Sequence, residues 1–506
     1  MHAFLKLVTG TLCSRILGFV RDVVFFAVLG SSLEASAFLI AFAIPNLFRR
    51  LCGEGALNSA FIPVFAQRYV KHPQSVNSFL NLFFTKFGVY LGISVLVIMY
   101  ALAVLHHYID NPKWSTVIYL TNAMLPYLWF ICVAALLNGT LNVLNAFSWT
   151  AFSPVLLNLI MLLGLGFSHL FSTPLSQVTW LSVCVILGGF LQWFFPKLQL
   201  KQKGYPINQF VWGHDADLDR IRNLFLPCIL GAAIFQINTM LGRFFAYTID
   251  EHAVSFLYLS NRFLELPLGL FAFAIISILL PKLSLANAKN DVLGSKRLLH
   301  NGIHVLCLLL IPSAIGLYIL ADPLMHLCFC WGKFLKQDTQ QVAMLLKIFV
   351  IGLPFFGLSS LFTRVFYAHN NTKTPVKLSF ITLIFFITFT ALFVDKCGVK
   401  SLALASVLST GIQMYLQIYI LRKTYPHYRL KYQPLPLASW ACFLVFAFCV
   451  SFLFHLFPLQ TTKLYATLSL TGFIFISLCI YFLALSIFNK KALHLLYAIT
   501  FSKVAK

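Results

Sequence analysis

Four arginines lie inside long apolar segments of this 506-residue chain, where charged side chains are rare. Arg15 and Arg21 occur in the stretch SRILGFVRD, Arg49 follows the stretch AFLIAFAIPNLF, and Arg262 occurs in NRFLELPLG. A guanidinium group stays charged and offers a planar fork of N–H donors that matches phosphate or carboxylate. A surplus of such groups in apolar segments therefore predicts an anion-binding site.

The alternative explanation is that these arginines form ion pairs with acidic residues on the same helix. An arginine at the bilayer centre costs at least ~2.5–3.5 kcal/mol, so each one needs an anion, an acid or water. Helical spacing allows Arg50 to pair with Glu54 at i,i+4 and Arg262 to pair partly with Glu265 at i,i+3. Within the apolar segments, these two glutamates and one aspartate are the acids that we identify.

Helix geometry alone does not predict an ion pair between the aspartate, Asp22, and either Arg15 or Arg21. Asp22 lies ~10.5 Å along the helix axis from Arg15, and the adjacent Arg21 and Asp22 point about 100° apart. For Arg49, helical spacing predicts no acidic partner. The first part of the chain thus carries excess positive charge, which either holds an anionic ligand or belongs to a structural network between helices.

The composition requires that lipid surrounds most of the chain. Hydrophobic residues make up 60% of it and charged residues only 10%, against about 25% charged in soluble domains. Because a span needs ~20 apolar residues, we predict an all-α integral membrane protein with fourteen transmembrane helices. The predicted spans are 4–29, 35–64, 79–105, 120–145, 151–171, 177–195, 222–247, 253–280, 300–321, 341–368, 376–394, 399–421, 436–458 and 464–488. Lys86, Arg243, Lys347 and Arg364 lie near span ends and are expected to reach the headgroups.

The distribution of basic residues predicts the orientation. Most lysines and arginines outside the spans fall in loops on the side of the N-terminus, so both termini are expected in the cytoplasm. The net charge of +23 is therefore explained by membrane orientation, and no nucleic-acid partner is needed to account for it. The outer loops are too short for a catalytic domain, which argues against an enzyme. The 12 cysteines form no zinc-type CxxC pair, and the cluster HLCFC is expected at a membrane edge, so no metal is predicted.

An internal repeat predicts two six-helix lobes in the same orientation. Pro63 lies 26 positions after Ala37, and Pro281 lies 26 positions after Ser255, in spans two and eight. An offset of six spans indicates a parallel pseudo-repeat, with two additional C-terminal helices. The predicted divisions are an N-lobe at 1–198, a cytoplasmic linker at 199–221, a C-lobe at 222–432, and spans thirteen and fourteen with a tail at 433–506. Paired Gly/Pro breaks in both halves predict hinges at a transport site, at Pro45, Gly53, Gly55, Pro267 and Gly269.

The motifs around these arginines resemble a known family. SRILGFVRD together with AFLIAFAIPNLFRRLCGEGALNSAFIPVF resembles the signature of the MurJ (MviN) family of lipid II flippases. NRFLELPLG and NTKTPVK are similar to further segments of that family, and the resemblance covers nearly the whole chain. It implies the MOP flippase fold shared with MATE exporters.

The resemblance also implies a function and a set of site residues. A member of this family would move undecaprenyl-diphosphate-linked disaccharide-pentapeptide from the cytoplasmic to the outer leaflet by alternating access. The family's required arginines match Arg15, Arg21, Arg49 and Arg262, and its glutamates match Glu54 and Glu265. Asp22, Arg50 and Asn46 are assigned supporting roles, and spans thirteen and fourteen are expected to form a groove for the polyprenyl tail.

Two positions depart from the family pattern. Many members have an acid where Ser36 stands, and they often have Asp where Asn261 stands. Both residues are retained as supporting residues, but any coupling or gating role of those acids is in doubt here.

The expected partners follow from this assignment. We expect lipid II as substrate, membrane lipids as surroundings, and cell-wall synthesis or division proteins as neighbours in a bacterial inner membrane. No cofactor is expected, and coupling would come from the membrane potential or an unidentified ion. The alternatives are a related exporter of another polyprenyl-diphosphate glycan or of an amphiphilic drug, and a membrane scaffold for cell-wall enzymes.

Overall fold

The fold is helical throughout the part of the chain that is described. A computed structural model describes residues 2–51, 56–146, 148–428, 436–456, 463–490 and 493. These residues form eighteen α-helices, with no β-strand among them. A bilayer favours this architecture because each helix satisfies its own backbone hydrogen bonds. The prediction of an all-α membrane protein is confirmed.

Two compact units divide the chain, and the first is Met1–Ser255 together with Trp331–Phe334. Its helices are α1 (His2–Leu29), α2 (Leu33–Arg49), α3 (Ala56–Lys71), α4 (Val76–His107), α5 (Pro112–Val143), α6 (Ser148–Gly166), α7 (Pro174–Gln202), α8 (Ala216–Ile249) and the start of α9 (Ala253–Pro267). Within this unit α1 packs on α6, α2 packs on α5, and α5 packs on α7.

Polar side chains define where several of these helices begin. Asn111 accepts from the backbone N–H of Lys113 at the start of α5, where Pro112 occupies the first turn. Thr173 and Ser176 form a capping box on α7. Such caps satisfy backbone donors that the first helical turn leaves without partners. The caps of α5 and α7 therefore fix the first residue of each helix near the start of its apolar segment.

A late segment of the first unit is fixed to the end of α1. The Lys333 backbone N–H donates to the Ala27 carbonyl at 2.8 Å, and the rings of Phe334 and Phe26 lie 5.4 Å apart. Gly332 adopts a φ of +54°, and a Cβ there would lie 2.2 Å from the Ala27 oxygen. Only glycine fits this close approach without a backbone shift.

The second unit is Phe256–Cys330 with Leu335–Lys506. It contains most of α9, then α10 (Phe273–Ala288), α11 (Val292–Ile319), α12 (Ala321–Phe329), α13 (Lys336–Ile351), α14 (Leu353–Ala368), α15 (Lys373–Cys397), α16 (Lys400–Thr424), α17 (Leu437–Leu456) and α18 (Lys463–Phe488). Here α11 packs on α10, α14 and α17, and α17 packs on α18. The buried Tyr481 hydroxyl donates to the Leu308 carbonyl at 2.6 Å, which fixes α18 to α11.

Two predicted spans depart from a single straight α-helix. Span two is described as α2 and α3, and residues 52–55 between them, including Gly53 and Gly55, lie outside the described residues. Span eight contains a π-helical segment at Leu268–Ala272, directly after Pro267. Span ten, predicted as one helix, consists of α13 and α14, which meet at Gly352 with a bend of 46°. Pro354 explains the bend, since proline in the first turn of α14 lacks the N–H that would continue α13.

The described residues contain ten helices long and apolar enough to cross a membrane, or eleven if the bent α13–α14 pair counts as one span. The other three predicted spans coincide with α1, with α2 plus α3, and with α8. The total of fourteen, like the lobe boundaries at 198, 221 and 432, stays a prediction. The helix α8, which was predicted to be the first helix of the C-lobe, belongs to the first compact unit.

An ion-pair cluster joins α3 to α8. Arg68 donates to both carboxylate oxygens of Asp215 at 2.9 and 2.7 Å and to Asp217 at 2.9 Å. Its guanidinium also lies 4.6 Å from the ring centroid of Phe79, and its side chain is 15% exposed. Asp215 caps α8 at the same time, by accepting from the Asp217 backbone N–H. One arginine thus holds the start of α8 against α3.

We predict that Arg68→Ala lowers the free energy of unfolding by about 2 kcal/mol, because two partly buried carboxylates lose their counter-charge. Arg220→Ala is the matched control, since Arg220 is exposed and makes one bond to Gln67. Thermal unfolding of the purified chain in detergent measures both. Equal midpoints for the two variants would show that the cluster does not stabilise α8.

Candidate functional site

Arg21 is buried and already paired with an acid, contrary to the expectation from helix geometry. Its Nη2 lies 2.6 Å from Asp22 Oδ1, and its Nε donates to the same oxygen at 3.1 Å. Arg21 is 8% exposed and Asp22 is 3% exposed. The long arginine side chain folds back along α1 and overcomes the angular separation of neighbouring residues. A buried guanidinium favours such pairing because an uncompensated charge would be costly.

Asn158 on α6 completes this cluster and was missed by the sequence reasoning. Its side-chain oxygen accepts from Arg21 Nη1 at 2.9 Å, and its amide donates to the Ser14 carbonyl at 3.2 Å. The Met161 sulfur lies 3.8 Å from the same arginine nitrogen. The sequence feature that could have identified Asn158 is the presence of an asparagine inside an apolar span. Together these contacts hold α1 on α6 at the level of Arg21.

Arg49 lies in the last turn of α2, and the next two residues, Arg50 and Leu51, are π-helical. Its Nε donates to Asn46 Oδ1 at 3.4 Å, and Asn46 in turn donates to the Phe42 carbonyl at 2.9 Å. A cation in the last turn of a helix is favoured by the backbone dipole. The side chain is half-buried, and the buried Pro45 precedes it by about one turn.

Tyr127 on α5 places a buried polar group beside α2. Its ring stacks 6.1 Å from Phe42, and its side chain is fully buried. No hydrogen-bond partner for its hydroxyl is found among the described residues.

Arg15 and Arg50 are exposed, in contrast to Arg21. Arg15 lies about two turns before Arg21 on α1, and Arg50 follows the last residue of α2. The predicted Arg50–Glu54 pair cannot be described, because Glu54, like Gly53 and Gly55, lies outside the described residues. An exposed guanidinium in an otherwise apolar helix remains accessible to an anion in the surroundings.

In the second unit, Arg262 pairs partly with Glu265, as the spacing predicts. The two side chains lie 3.7 Å apart and are 34% and 63% exposed. The Arg262 guanidinium also lies 5.8 Å from the ring centroid of Tyr258. Asn261 donates to the Leu257 carbonyl of its own helix at 2.8 Å. Since the ion pair is open to its surroundings, Arg262 can exchange this weak contact for another anion.

Ser36 makes a neutral contact at the N-terminal end of α2. Its hydroxyl lies 3.0 Å from the hydroxyl of Ser255, and both side chains are fully buried. Ser31, at the preceding turn, lies 3.2 Å from His252 Nδ1. Hydroxyl and imidazole groups therefore hold this end of α2, at the position where the family pattern often places an acid.

Within the described residues, no group of three or more His, Cys, Asp and Glu side chains is arranged to hold an ion. Among the predicted site arginines, Arg15 is exposed, Arg49 is half-buried and the Arg262 side chain is 34% exposed.

Comparison with known sequences gives a consistent result. The family described as lipid II flippase MurJ matches residues 25–484. The probable lipid II flippase MurJ of Bdellovibrio bacteriovorus is 32% identical over 448 residues, covering 85% of this chain and 83% of that protein. The corresponding protein of Haemophilus influenzae is 33% identical over 431 residues, covering 80% and 83%.

Solved structures agree on the fold. A lipid II flippase MurJ in an inward closed conformation superposes with a TM-score of 0.78, at 23% identity, covering 97% of this chain and 100% of that one. An inward-facing MATE family transporter of the MOP superfamily superposes with a TM-score of 0.69 at 13% identity, covering 85% and 100%. The chain belongs to the MurJ family of lipid II flippases, which are transporters and not enzymes.

Proposed function

We propose that this protein moves lipid II from the cytoplasmic to the outer leaflet by alternating access, and that its arginines bind the diphosphate. The observation that carries this proposal is the position of Arg49. A half-buried guanidinium lies in the last turn of α2, inside an apolar span, within a family of lipid II flippases. A charge at that place is costly unless a ligand or a polar neighbour compensates for it.

The chemistry of the substrate fits guanidinium groups. A diphosphate carries about two negative charges and cannot enter hydrocarbon without compensation. Arginine replaces the water around phosphate oxygens with two parallel charge-assisted hydrogen bonds. The polyprenyl tail remains in lipid, in a groove that we assign to α17 and α18. No bond is made or broken during the transfer, so no nucleophile and no cofactor takes part.

The arginines have different roles in this proposal. We assign headgroup binding to Arg15 and Arg49 in the first unit. Arg262 in the second unit is also required for transport in this proposal. Arg21 is saturated by Asp22 and Asn158, so we assign it to positioning α1 against α6. Ser36, Asn46 and Asn261 support the helices that carry these side chains.

The helix breaks are proposed hinges. Backbone groups freed by a break need partners or water at membrane depth, so breaks persist where the structure must move or bind. The π-helical segment after Pro267, which includes Gly269, and the interval with Gly53 and Gly55 after Pro45 are the candidates. Alternating access would be achieved by bending at these positions.

The driving force and the surroundings are also proposals. The membrane potential contributes ~2.3 kcal/mol per charge per 100 mV and favours outward movement of an anion. Coupling to an unidentified ion is the alternative. We place the protein in the bacterial inner membrane with both termini cytoplasmic, near proteins of cell-wall synthesis or division.

A second function is export of another polyprenyl-diphosphate glycan or of an amphiphilic drug. The observation in its favour is the fold shared with a multidrug-resistance transporter. A leaflet-accessibility assay for lipid II, in cells that carry this protein as their only flippase, separates the two. Lipid II exposed on the outer leaflet supports the first function. Inaccessible lipid II together with drug resistance supports the second.

We predict that Arg15→Ala, Arg49→Ala or Arg262→Ala abolishes growth when each variant is the only flippase, because the diphosphate loses a charged ligand. Lysine at these positions should restore growth only in part, since it lacks the two-pronged geometry. The matched control is Arg222→Ala, an exposed arginine on α8. Membrane levels are measured by immunoblot, and growth of all three alanine variants would refute the assignment.

The Arg21–Asp22 pair gives a separate prediction. Arg21→Ala or Asp22→Ala alone should lower the amount of folded protein, because each leaves a buried charge or amide without its partner. The double variant Arg21→Met/Asp22→Leu should recover both folded protein and growth. Recovery of folded protein without growth would show instead that Arg21 contacts the substrate.

A further inference from the structure

The segment 205–213, here called the strap, connects α7 to α8 without forming a helix or strand. Backbone groups in such a segment need partners, and α4 supplies them. Asn81 of α4, which is fully buried, donates to the Pro206 carbonyl at 3.0 Å and accepts from the backbone N–H groups of Asn208 and Gln209 at 3.1 and 2.9 Å. The strap is therefore fixed along one stripe of α4.

Thr85, one turn after Asn81, continues this attachment. Its hydroxyl lies 3.4 Å from both the Gln209 carbonyl and the Val211 backbone nitrogen. The strap thus follows α4 from Asn81 towards the membrane. Its last aromatic residue, Trp212, contacts α4 beyond Thr85 and packs 5.8 Å from Tyr90.

The sequence of α4 gives the depth of this contact. The 19 residues from Phe87 to Leu105 contain no charged side chain, and as a helix they span about 28 Å, close to the thickness of the hydrocarbon layer. Only 6% of the residues in the apolar window of this helix are buried in the protein, so most of its apolar side chains are free to face lipid. The inner boundary of the hydrocarbon therefore lies near Lys86.

The strap presents two aromatic rings at that boundary. Phe210 is 77% exposed and Trp212 is 54% exposed, and their rings stack 6.3 Å apart. The Lys86 ammonium lies 5.6 Å from the Trp212 ring centroid. Aromatic rings beside a lysine are typical of the membrane–water interface, where the rings occupy the headgroup level and the ammonium reaches the phosphates.

We propose that the strap is a lipid-binding element, in which Trp212 and Phe210 insert among the phospholipid headgroups of the cytoplasmic leaflet and Lys86 binds a phospholipid phosphate. Continuity with the exposed apolar face of α4 identifies the bilayer as the partner. This binding is separate from the arginines of α1 and α2, and it does not depend on the transported substrate. It would hold the start of α8, two residues beyond the strap, at a fixed membrane depth.

The first test uses tryptophan fluorescence of the full chain in phosphatidylglycerol vesicles. The difference in emission between wild type and Trp212→Phe reports Trp212 alone. We expect stronger quenching by lipids brominated near the glycerol backbone than by lipids brominated near the chain end, and little quenching by aqueous iodide. Trp180→Phe is the control, since Trp180 is anchored by a bond to the Gly164 carbonyl.

A difference signal quenched by iodide and by neither brominated lipid would overturn the proposal, because the strap would then lie in water. Strongest quenching by the deep bromine would overturn it as well. For the phosphate contact, Lys86→Gln should remove the difference in Trp212 emission between vesicles of phosphatidylglycerol and vesicles of digalactosyldiacylglycerol, which lacks a phosphate, whereas Lys71→Gln should keep it. Retention of the difference in Lys86→Gln would refute the role of Lys86.

Discussion

The cost of a guanidinium group in an apolar helix is the constraint on which the functional part of this structure depends. The protein meets that cost differently at each position. Arg21 is buried with an acid and an amide, whereas Arg262 keeps a loose contact with an exposed glutamate. Arg49 lies at a helix end beside Asn46, and Arg15 is exposed. The arginines thus range from saturated to accessible, and the accessible ones are those that a ligand can use.

π-Helical residues lie near two of these charges. Arg50 and Leu51, directly after Arg49, are π-helical, and a π-helical segment begins six residues after Arg262. A helix break frees backbone groups that hydrocarbon cannot satisfy, so it persists only beside protein or water. A charged side chain and a helix break within the membrane are therefore both stable only where protein groups or water surround them. A transporter that binds a diphosphate and changes conformation has reason to place them together.

Much of the fold could be predicted, because apolar runs of membrane length leave few alternatives. The predicted span 79–105 corresponds to α4 (Val76–His107), and 399–421 corresponds to α16 (Lys400–Thr424). The bend at Gly352 was not predicted, since apolar composition continues unchanged through it. The short α12 (Ala321–Phe329) was not predicted as a separate helix, and only the cluster HLCFC at its end was expected at a membrane edge.

The candidate site could be predicted only as far as its contacts are local. The Arg262–Glu265 pair follows from i,i+3 spacing and is confirmed. The Arg21–Asp22 pair was missed because helix geometry fixes Cβ directions, while the end of a long side chain turns back freely. Asn158 was missed because it lies 137 positions from Arg21, and only tertiary packing brings them together.

The central claim is that exposed and half-buried arginines hold the substrate's diphosphate, and binding of lipid II to the purified protein tests it most directly. A titration by native mass spectrometry compares wild type with Arg49→Ala, and lipid II with its neutral polyprenol. The account predicts that Arg49→Ala weakens lipid II binding at least about tenfold, which equals ~1.4 kcal/mol, and leaves polyprenol binding unchanged. Equal affinity of both proteins for lipid II would contradict it.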